Sequence, residues 1–477
     1  MVIPSVRVRF APAPTGLMHL GNIRTALMNY LFAQQRNGTF VLRIEDTDSQ
    51  RNFDPHATQI MSDLAWLNIL HDEGPKKNEL YAPYFQSQRT PIYQKYLDRF
   101  INKGDVYRCF CTSEDLEKKR LRQVALKQPP RYDRTCLQLP QDEIDMRVAM
   151  PFVWRAKLDH TQTIELKDLA REIIRFEMHN FSDPVLTRED GSFTFLFANF
   201  VDDVDMKITH IFRGEDHLSN TGVQAALFKM IDAPLPIYWN MPILCNIEGK
   251  KLSKRDFGFS LNDLRTAGYL PHAICNYLAI IGGGTFDKEI MTMDELIKHI
   301  NFDHIHATGQ VKYDVEKLNW MNHEWISKLD LPTLVELCIP FIQASHPEIR
   351  VVEKSKIESM IRIIQPNLRN LGQAGHLVDF YFNAPHITKK EITQYIEENP
   401  EAIMTVVAHN MHLINTPAVF IETIKAEAKK SALPLKHLFA LVRLALTGTI
   451  HGPSIAELIE MLGIVEAEKR LKKVLTV

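Results

Sequence analysis

Val6-Arg7-Val8-Arg9-Phe10-Ala11-Pro12-Ala13-Pro14-Thr15-Gly16, then His19-Leu20-Gly21-Asn22, then Thr39-Phe40-Val41-Leu42-Arg43-Ile44 decide the fold. Val6, Val8 and Phe10 alternate with Arg7 and Arg9, the pattern of a strand. A Pro/Gly-rich turn follows. Ile23, Ala26, Leu27, Tyr30 and Leu31 then recur at helical spacing, and Asn37-Gly38 closes the helix. The second strand runs into Glu45-Asp46. Strand, helix and strand at this spacing form a βαβ unit. That predicts a parallel sheet with its ligands at the carboxyl ends of the strands.

Outward from this unit the pattern changes twice. Around residues 105–150 cysteines, prolines and a charged helix from Glu114 to Lys127 break the alternation, as an insertion would. Strand-like runs return at Ser192-Phe193-Thr194-Phe195-Leu196-Phe197 and at Ile208-Thr209-His210-Ile211-Phe212. From about Leu331 strands nearly vanish. Ile357, Met360, Ile361 and Ile364 form a helical stripe, as do Leu438, Leu441, Val442 and Ala445, with turns at Gly448 and Gly452-Pro453. The C-terminal part is predicted to be all-helical, as two packed bundles.

With 477 residues the chain is long enough for two or three domains. It is 45% hydrophobic and 24% charged, as soluble globular proteins are. No stretch reaches the roughly 20 apolar residues that span a bilayer. Met1-Val2-Ile3-Pro4-Ser5 has no basic segment followed by an apolar one, as a signal peptide would, and the first strand leaves no room for a transit peptide, so a cytoplasmic location and no membrane partner are expected. A net charge of -2 leaves a nucleic-acid partner open, because a polyanion needs a local basic surface and not a basic average. Six cysteines are too few for a disulfide scaffold.

Two motifs carry nucleotide chemistry. His19-Leu20-Gly21-Asn22 lies where the first helix begins, and a helix N-terminus offers unpaired N–H groups to phosphate. Gly21 permits close approach of a nucleotide, and His19 can donate to the α-phosphate as charge develops. Lys250-Lys251-Leu252-Ser253-Lys254-Arg255 sits in a polar, Gly-flanked loop, and lysines can neutralise departing pyrophosphate. Taken singly, the first also reads as a surface turn and the second as a solvated loop.

Together they resemble the two signature motifs of class I aminoacyl-tRNA synthetases. Arg9 to Gly16, Leu42-Arg43-Ile44-Glu45-Asp46-Thr47-Asp48, and Phe212-Arg213-Gly214-Glu215-Asp216-His217 narrow the resemblance to the glutamyl-tRNA synthetases, and the helical C-terminal part, without β-barrel patterning, is similar to their bacterial type. Leu318-Asn319-Trp320-Met321-Asn322 and Arg443-Leu444-Ala445-Leu446-Thr447-Gly448 extend it almost to the C-terminus.

The resemblance implies a Rossmann-like α/β catalytic domain (1–87 and 188–230) with an inserted acceptor-binding domain (88–187). A connecting domain with the lysine loop (231–330) and an all-α anticodon-binding region (331–477) complete the chain. It implies ATP with Mg²⁺, L-glutamate and tRNA(Glu), with tRNA(Gln) as a second candidate, and a monomer. His19, Asn22, Lys251 and Lys254 would be catalytic. Gly21, Ser253 and Arg255 would join them around ATP. Arg9 and Arg213 would face the glutamate γ-carboxylate, since an arginine fork binds a carboxylate at two points. Glu45 would face the ammonium group, and Ala11, Ala13, Phe195 and Asn199 would complete the pocket. Read one at a time, each charged residue is as well explained by an ordinary salt bridge. The chain departs from the family at Ala13 (Ser) and Phe195 (Tyr), each change removing a hydroxyl.

Cys109-Phe110-Cys111, followed by Cys136, reads more readily as metal ligands than as a disulfide. Some relatives bind a structural Zn²⁺ there with a fourth group. Where that group is a His two residues after the third Cys, this chain has Gln138; where it is a Tyr four residues before, it has Tyr132. The alternative of three free thiols stays open. Cys245 and Cys275 read as core residues. Lys389, Lys390, Lys429 and Lys430 read mainly as solvated charge. A non-catalytic tRNA-binding paralogue is the rival reading; it predicts erosion at His19, Lys254 or Glu45, and all three are intact.

Overall fold

The computed structural model describes residues 5–47, 52–54, 56–253, 255–283, 286–305 and 309–476. Contacts group the chain into two units, Met1–Asp263 with Ile274–Val315, and Leu264–Ala273 with Glu316–Val477.

The first unit opens as its sequence predicts. β1 (Arg7–Phe10), α1 (Leu20–Gln35) and β2 (Thr39–Leu42) form the βαβ unit, with β1 and β2 parallel and Arg7 opposite Thr39. Ile23, Ala26, Leu27 and Leu31 of α1 are fully buried. The arginines of β1 are buried as well, because each meets a carboxylate. Arg7 makes a two-point pair with Glu73 at 2.9 and 2.8 Å, and Arg9 pairs with Asp203 at 3.1 Å.

α2 (Thr58–Trp66) and α3 (Thr90–Lys103) follow. Then β3 (Val106–Cys109), α4 (Ser113–Ala125), α5 (Gln141–Met146) and β4 (Val153–Ala156) build the start of the expected insertion, with β3 and β4 antiparallel. Thr112 caps α4, and no side chain of that helix is buried. β5 (Thr163–Asp168) and β6 (Glu172–Glu177) form a second antiparallel pair.

The strand expected at 192–197 is not there. Phe195–Asp205 is a helix, α6. The Thr194 side chain accepts from the Phe197 N–H at 3.4 Å and so caps it. Phe197 and Phe200, three apart, meet Phe100 of α3 edge-on at 6.1 and 6.2 Å. Six residues of alternation were too short a run to outweigh the cap and this spacing.

β7 (His210–Gly214), α7 (Leu218–Met230) and β8 (Ile237–Met241) form a second βαβ unit, β7 and β8 running parallel in a four-stranded sheet of order β6-β5-β8-β7, apart from the β1-β2 pair. Asp168 of β5 pairs with Tyr238 of β8, and the Thr209 N–H donates to the Arg7 carbonyl at 2.9 Å, drawing the entry to β7 beside β1.

The second unit is helical. Among the described residues no strand follows Val311–Lys312. Helices from Leu331–Ser345 to Ile464–Leu475 share one continuous apolar cluster. Among the described residues no helix is long and apolar enough to cross a membrane.

Candidate active site

The carboxyl ends of β1, β7 and β8 and the start of α1 surround a cavity of about 300 Å³. Arg9, Phe10, Arg213, Gly214 and Met241 reach it from the strands, and His19, Gly21 and Asn22 from the helix. It lies where a parallel sheet presents its ligands.

His19 caps α1 reciprocally with Asn22. Its Nδ1 accepts from the Asn22 N–H at 3.2 Å, and Asn22 Oδ1 accepts from the His19 N–H at 3.4 Å. Because Nδ1 accepts, a neutral ring carries its proton on Nε2. Burial, then Lys251, lowers the His19 pKa from 6.5, which favours that neutral form. The ring stacks on Phe259 at 5.3 Å. A Cβ at position 21 would lie 2.9 Å from His19 Cε1, so Gly21 keeps this ring in place.

Beneath the cavity is an ionic network. Asp203 of α6 accepts from Arg9 and, at 2.7 Å, from Arg43; Arg43 also reaches Glu45 at 3.3 Å. Asp202 takes Arg89 at 2.6 Å and Tyr93 at 3.0 Å. Burial works against the Asp203 carboxylate, yet Arg43 and Arg9 hold it below the ordinary range. Burial pushes Glu45 above that range, opposed by Arg43 and Arg9. A cation arriving beside Glu45 would favour its charged form.

Arg213 is different. It is 8% exposed, and among the described residues no carboxylate lies within ion-pair distance of it. Its NH1 donates to Gln224 Oε1 at 2.8 Å and its NH2 to Thr221 Oγ1 at 2.7 Å, both neutral acceptors. Its Nε has no partner, and burial lowers its pKa. Of the two arginines expected at the γ-carboxylate, Arg9 has an acid partner among the described residues and Arg213 does not.

Phe195 and Asn199, one turn apart on α6, both line the cavity, as do Ala11, Glu45 and Lys251. Asn199 donates to Glu45. Lys251 lies 3.2 Å from Asp216. Three expected residues stand outside the lining. Ala13 is exposed in its turn. The Ser253 N–H and hydroxyl both donate to Asp256, at 2.8 and 2.9 Å, and Arg255 is exposed. Lys254 lies outside the described residues.

The cavity also holds residues the sequence reading passed over. Arg24, 2% exposed, donates to the carbonyls of Pro242 and Gly282 at 2.7 and 3.0 Å. Thr221 and Gln224, polar at i and i+3 on an otherwise apolar face of α7, were the visible signal for the support of Arg213.

Cys109, Cys111 and Cys136 converge, their sulfurs all within 4.8 Å of one another. Tyr132 Oη lies 3.3 Å from Cys109 Sγ and 3.9 Å from Cys111 Sγ, and Cys111 and Cys136 are 3.5 Å apart. The hydrogen bond with Cys136, and then those with Tyr132 and Arg155, hold the Cys109 thiol well below its ordinary range. Cys245 and Cys275 are buried singly.

Residues 5–320 match the family model of the catalytic domain of class I tRNA synthetases (E and Q), and residues 333–475 match an anticodon binding domain. The glutamate–tRNA ligase of Bacillus velezensis is 35% identical over 98% of this chain and 99% of its own. That of Carboxydothermus hydrogenoformans is 36% identical with the same coverage. The crystal structure of a glutamate tRNA ligase from Elizabethkingia meningosepticum, in complex with its amino acid, superposes with a TM-score of 0.87 at 31% identity, covering 99% of both chains. The crystal structure of the glutamate-tRNA synthetase from Elizabethkingia anophelis superposes with a TM-score of 0.87 at 30% identity, covering 99% of this chain and 100% of its own. The chain belongs to the glutamate–tRNA ligase family of class I aminoacyl-tRNA synthetases.

Proposed function

We propose that the cavity activates L-glutamate with ATP and passes the glutamyl group to tRNA(Glu). The observation that carries this reading is Arg213, a buried guanidinium without an acid partner, sharing a cavity with Glu45 and with the His19 helix start. A dicarboxylate amino acid supplies the acid partner that Arg213 lacks among the described residues, and adds a second cation beside Glu45, which already meets Arg43. Its γ-carboxylate pairs with Arg213, and its ammonium group with Glu45. Arg9, steadied by Asp203, lines the same wall.

ATP, bringing Mg²⁺ with it, would place its α-phosphate at the α1 N-terminus. The glutamate α-carboxylate attacks the α-phosphorus, the bond to the β-phosphate breaks, and pyrophosphate leaves. His19 Nε2–H donates to the charge that grows on the α-phosphate, and Gly21 and Asn22 present the helix start. Lys251, released from Asp216, neutralises the departing pyrophosphate, and we assign Lys254 the same task. Ser253 and Arg255 belong to the ATP loop in this reading, reaching the phosphates once Asp256 gives up Ser253. A terminal tRNA hydroxyl then attacks the acyl adenylate, and AMP leaves. Orientation and charge do most of the work.

We assign residues 88–187 to the tRNA acceptor end, 231–330 to the connection and lysine loop, and 331–477 to the anticodon. The enzyme acts as a monomer in the cytoplasm, where its tRNA and ATP are found. Labelled glutamate with purified glutamate and glutamine tRNAs in separate reactions tests the reading. Charging of tRNA(Glu) supports it, and charging of tRNA(Gln) as well extends it to both tRNAs. Charging of neither by folded protein favours the non-catalytic paralogue.

Phe195 offers a smaller test. Phe195→Tyr restores a hydroxyl on the pocket wall, worth about 0.5–1.5 kcal/mol. The KM for glutamate should fall roughly two- to tenfold in steady-state aminoacylation, with kcat little changed. An unchanged KM removes Phe195 from the glutamate wall.

The thiol cluster suits a structural Zn²⁺ held by Cys109, Cys111, Cys136 and Tyr132. Zn–S bonds of about 2.3 Å give a tetrahedron with edges of about 3.8 Å. The Cys111–Cys136 separation of 3.5 Å is close to that S–S edge, and the Tyr132 oxygen, 3.3 and 3.9 Å from Cys109 and Cys111, lies within reach of the same centre. Elemental analysis should find about one zinc per chain. In Cys136→Ser the zinc content should fall towards zero, and protease should cut first within 105–150. Full zinc in that variant removes Cys136 from the ligand set.

A further inference from the structure

Arg213 is held by a particular kind of support. Gln224 is 1% exposed and Thr221 is fully buried. A guanidinium only donates, so NH1 turns the Gln224 oxygen towards itself. The Gln224 nitrogen must then face away, where it donates to Asn199 Oδ1 at 3.1 Å. That contact turns Asn199 as well, and its nitrogen donates to the Glu45 carboxylate. Thr221 accepts from NH2 and is left to donate to the His217 or Asn240 oxygen, at 3.2 and 3.3 Å. One directional chain, Arg213–Gln224–Asn199–Glu45, thus links the cationic and anionic ends of the cavity.

A glutamate in place of Gln224 would change this in two ways. Its carboxylate would pair with Arg213 and satisfy the charge internally. Its second oxygen would also face Asn199 Oδ1, acceptor against acceptor. If Asn199 turned to relieve that, its oxygen would meet the Glu45 carboxylate.

We infer that Gln224, with Thr221, is a specificity-determining positioning residue. It holds Arg213 through a neutral acceptor, so that the guanidinium charge is left for the substrate's side-chain carboxylate in preference to an uncharged amide. This rests on the reading of Arg213 as the carboxylate site. It assigns the choice between glutamate and glutamine to the partner of the arginine as well as to the arginine itself.

The test compares Gln224→Glu, Gln224→Met and Arg213→Ala with the parent, as full chains with tRNA(Glu). Glutamine is measured as a substrate or, where it is not turned over, as a competitive inhibitor. In Gln224→Glu the KM for glutamate should rise about a hundredfold and the preference for glutamate over glutamine should fall at least about tenfold, while the KM for ATP stays put. Gln224→Met adds no charge. It should raise the glutamate KM about two- to tenfold, with kcat and the preference near those of the parent. An unchanged preference in folded Gln224→Glu overturns the proposal, and so does an unchanged glutamate KM in Gln224→Met, which decides the matter if Gln224→Glu does not fold. When either result accompanies loss of glutamate use in Arg213→Ala, the role of Gln224 alone falls. Full glutamate use in Arg213→Ala overturns the underlying reading and the proposal with it.

Discussion

Arg213→Ala should lower kcat/KM for glutamate by roughly a thousandfold without unfolding the protein. The loss follows from removing one partner of a desolvated charge pair, which costs about 2–5 kcal/mol and leaves the ligand's carboxylate unpaired in the cavity. The stability half of the expectation is the more telling. An ordinary buried arginine is paired, and its removal strands a carboxylate. Among the described residues Arg213 has neutral acceptors and the Tyr238 ring but no carboxylate, so its removal strands Gln224 Oε1 and Thr221 Oγ1, a modest penalty, and relieves the burial of a cation without a counterion. The thermal midpoint should stay within about 2 °C of the parent or rise. Aminoacylation kinetics beside calorimetry measure both. A large fall in midpoint would mean that Arg213 serves the fold.

Asp203→Asn should do the reverse and destabilise the first unit by about 3–5 kcal/mol. Asp203 is 1% exposed and accepts from both Arg9 and Arg43. Without its charge two buried guanidinium groups lose a shared counterion, and Arg9 loses the anchor that sets its direction. Glutamate use should fall with stability. The pH dependence has a definite sign. The Asp203 pKa in the folded protein lies below the ordinary 3.8, so its contribution is fully present above that value. It is lost as pH falls through the folded pKa. Urea titrations should therefore show a constant gap between parent and Asp203→Asn above about pH 5, narrowing below 3.8. A gap that does not change with pH would mean that the carboxylate's charge is not what matters.

These two residues also mark what the sequence made legible. The βαβ start was readable because its signals are local: alternation in residues 6–10, helical spacing from Ile23 to Leu31, and a turn at Asn37-Gly38. The thiol cluster was half-legible, since Cys109 and Cys111 are neighbours and only Cys136 lies apart. The cap at His19 and Asn22 was present in the motif itself. The partners of Arg9 and Arg43 were not readable, because Asp203 is 194 and 160 residues away from them. Sequence showed two arginines at strand ends and gave no means of telling the paired one from the unpaired one. The strand expected at 192–197 failed for a related reason: its aromatic residues pack against α3, and alternation over six residues fits a capped helix equally well. Ser253 and Ala13 show the limit of motif membership, since a residue can belong to a signature and still point at its own loop or at solvent.

The most direct test of the central claim is the structure of this chain with a non-hydrolysable glutamyl-adenylate analogue. The γ-carboxylate is expected against Arg213, the ammonium group against Glu45 and the adenylate phosphate at His19 and the start of α1. A γ-carboxylate turned away from Arg213, with that guanidinium still on Gln224 and Thr221, would be the opposite result.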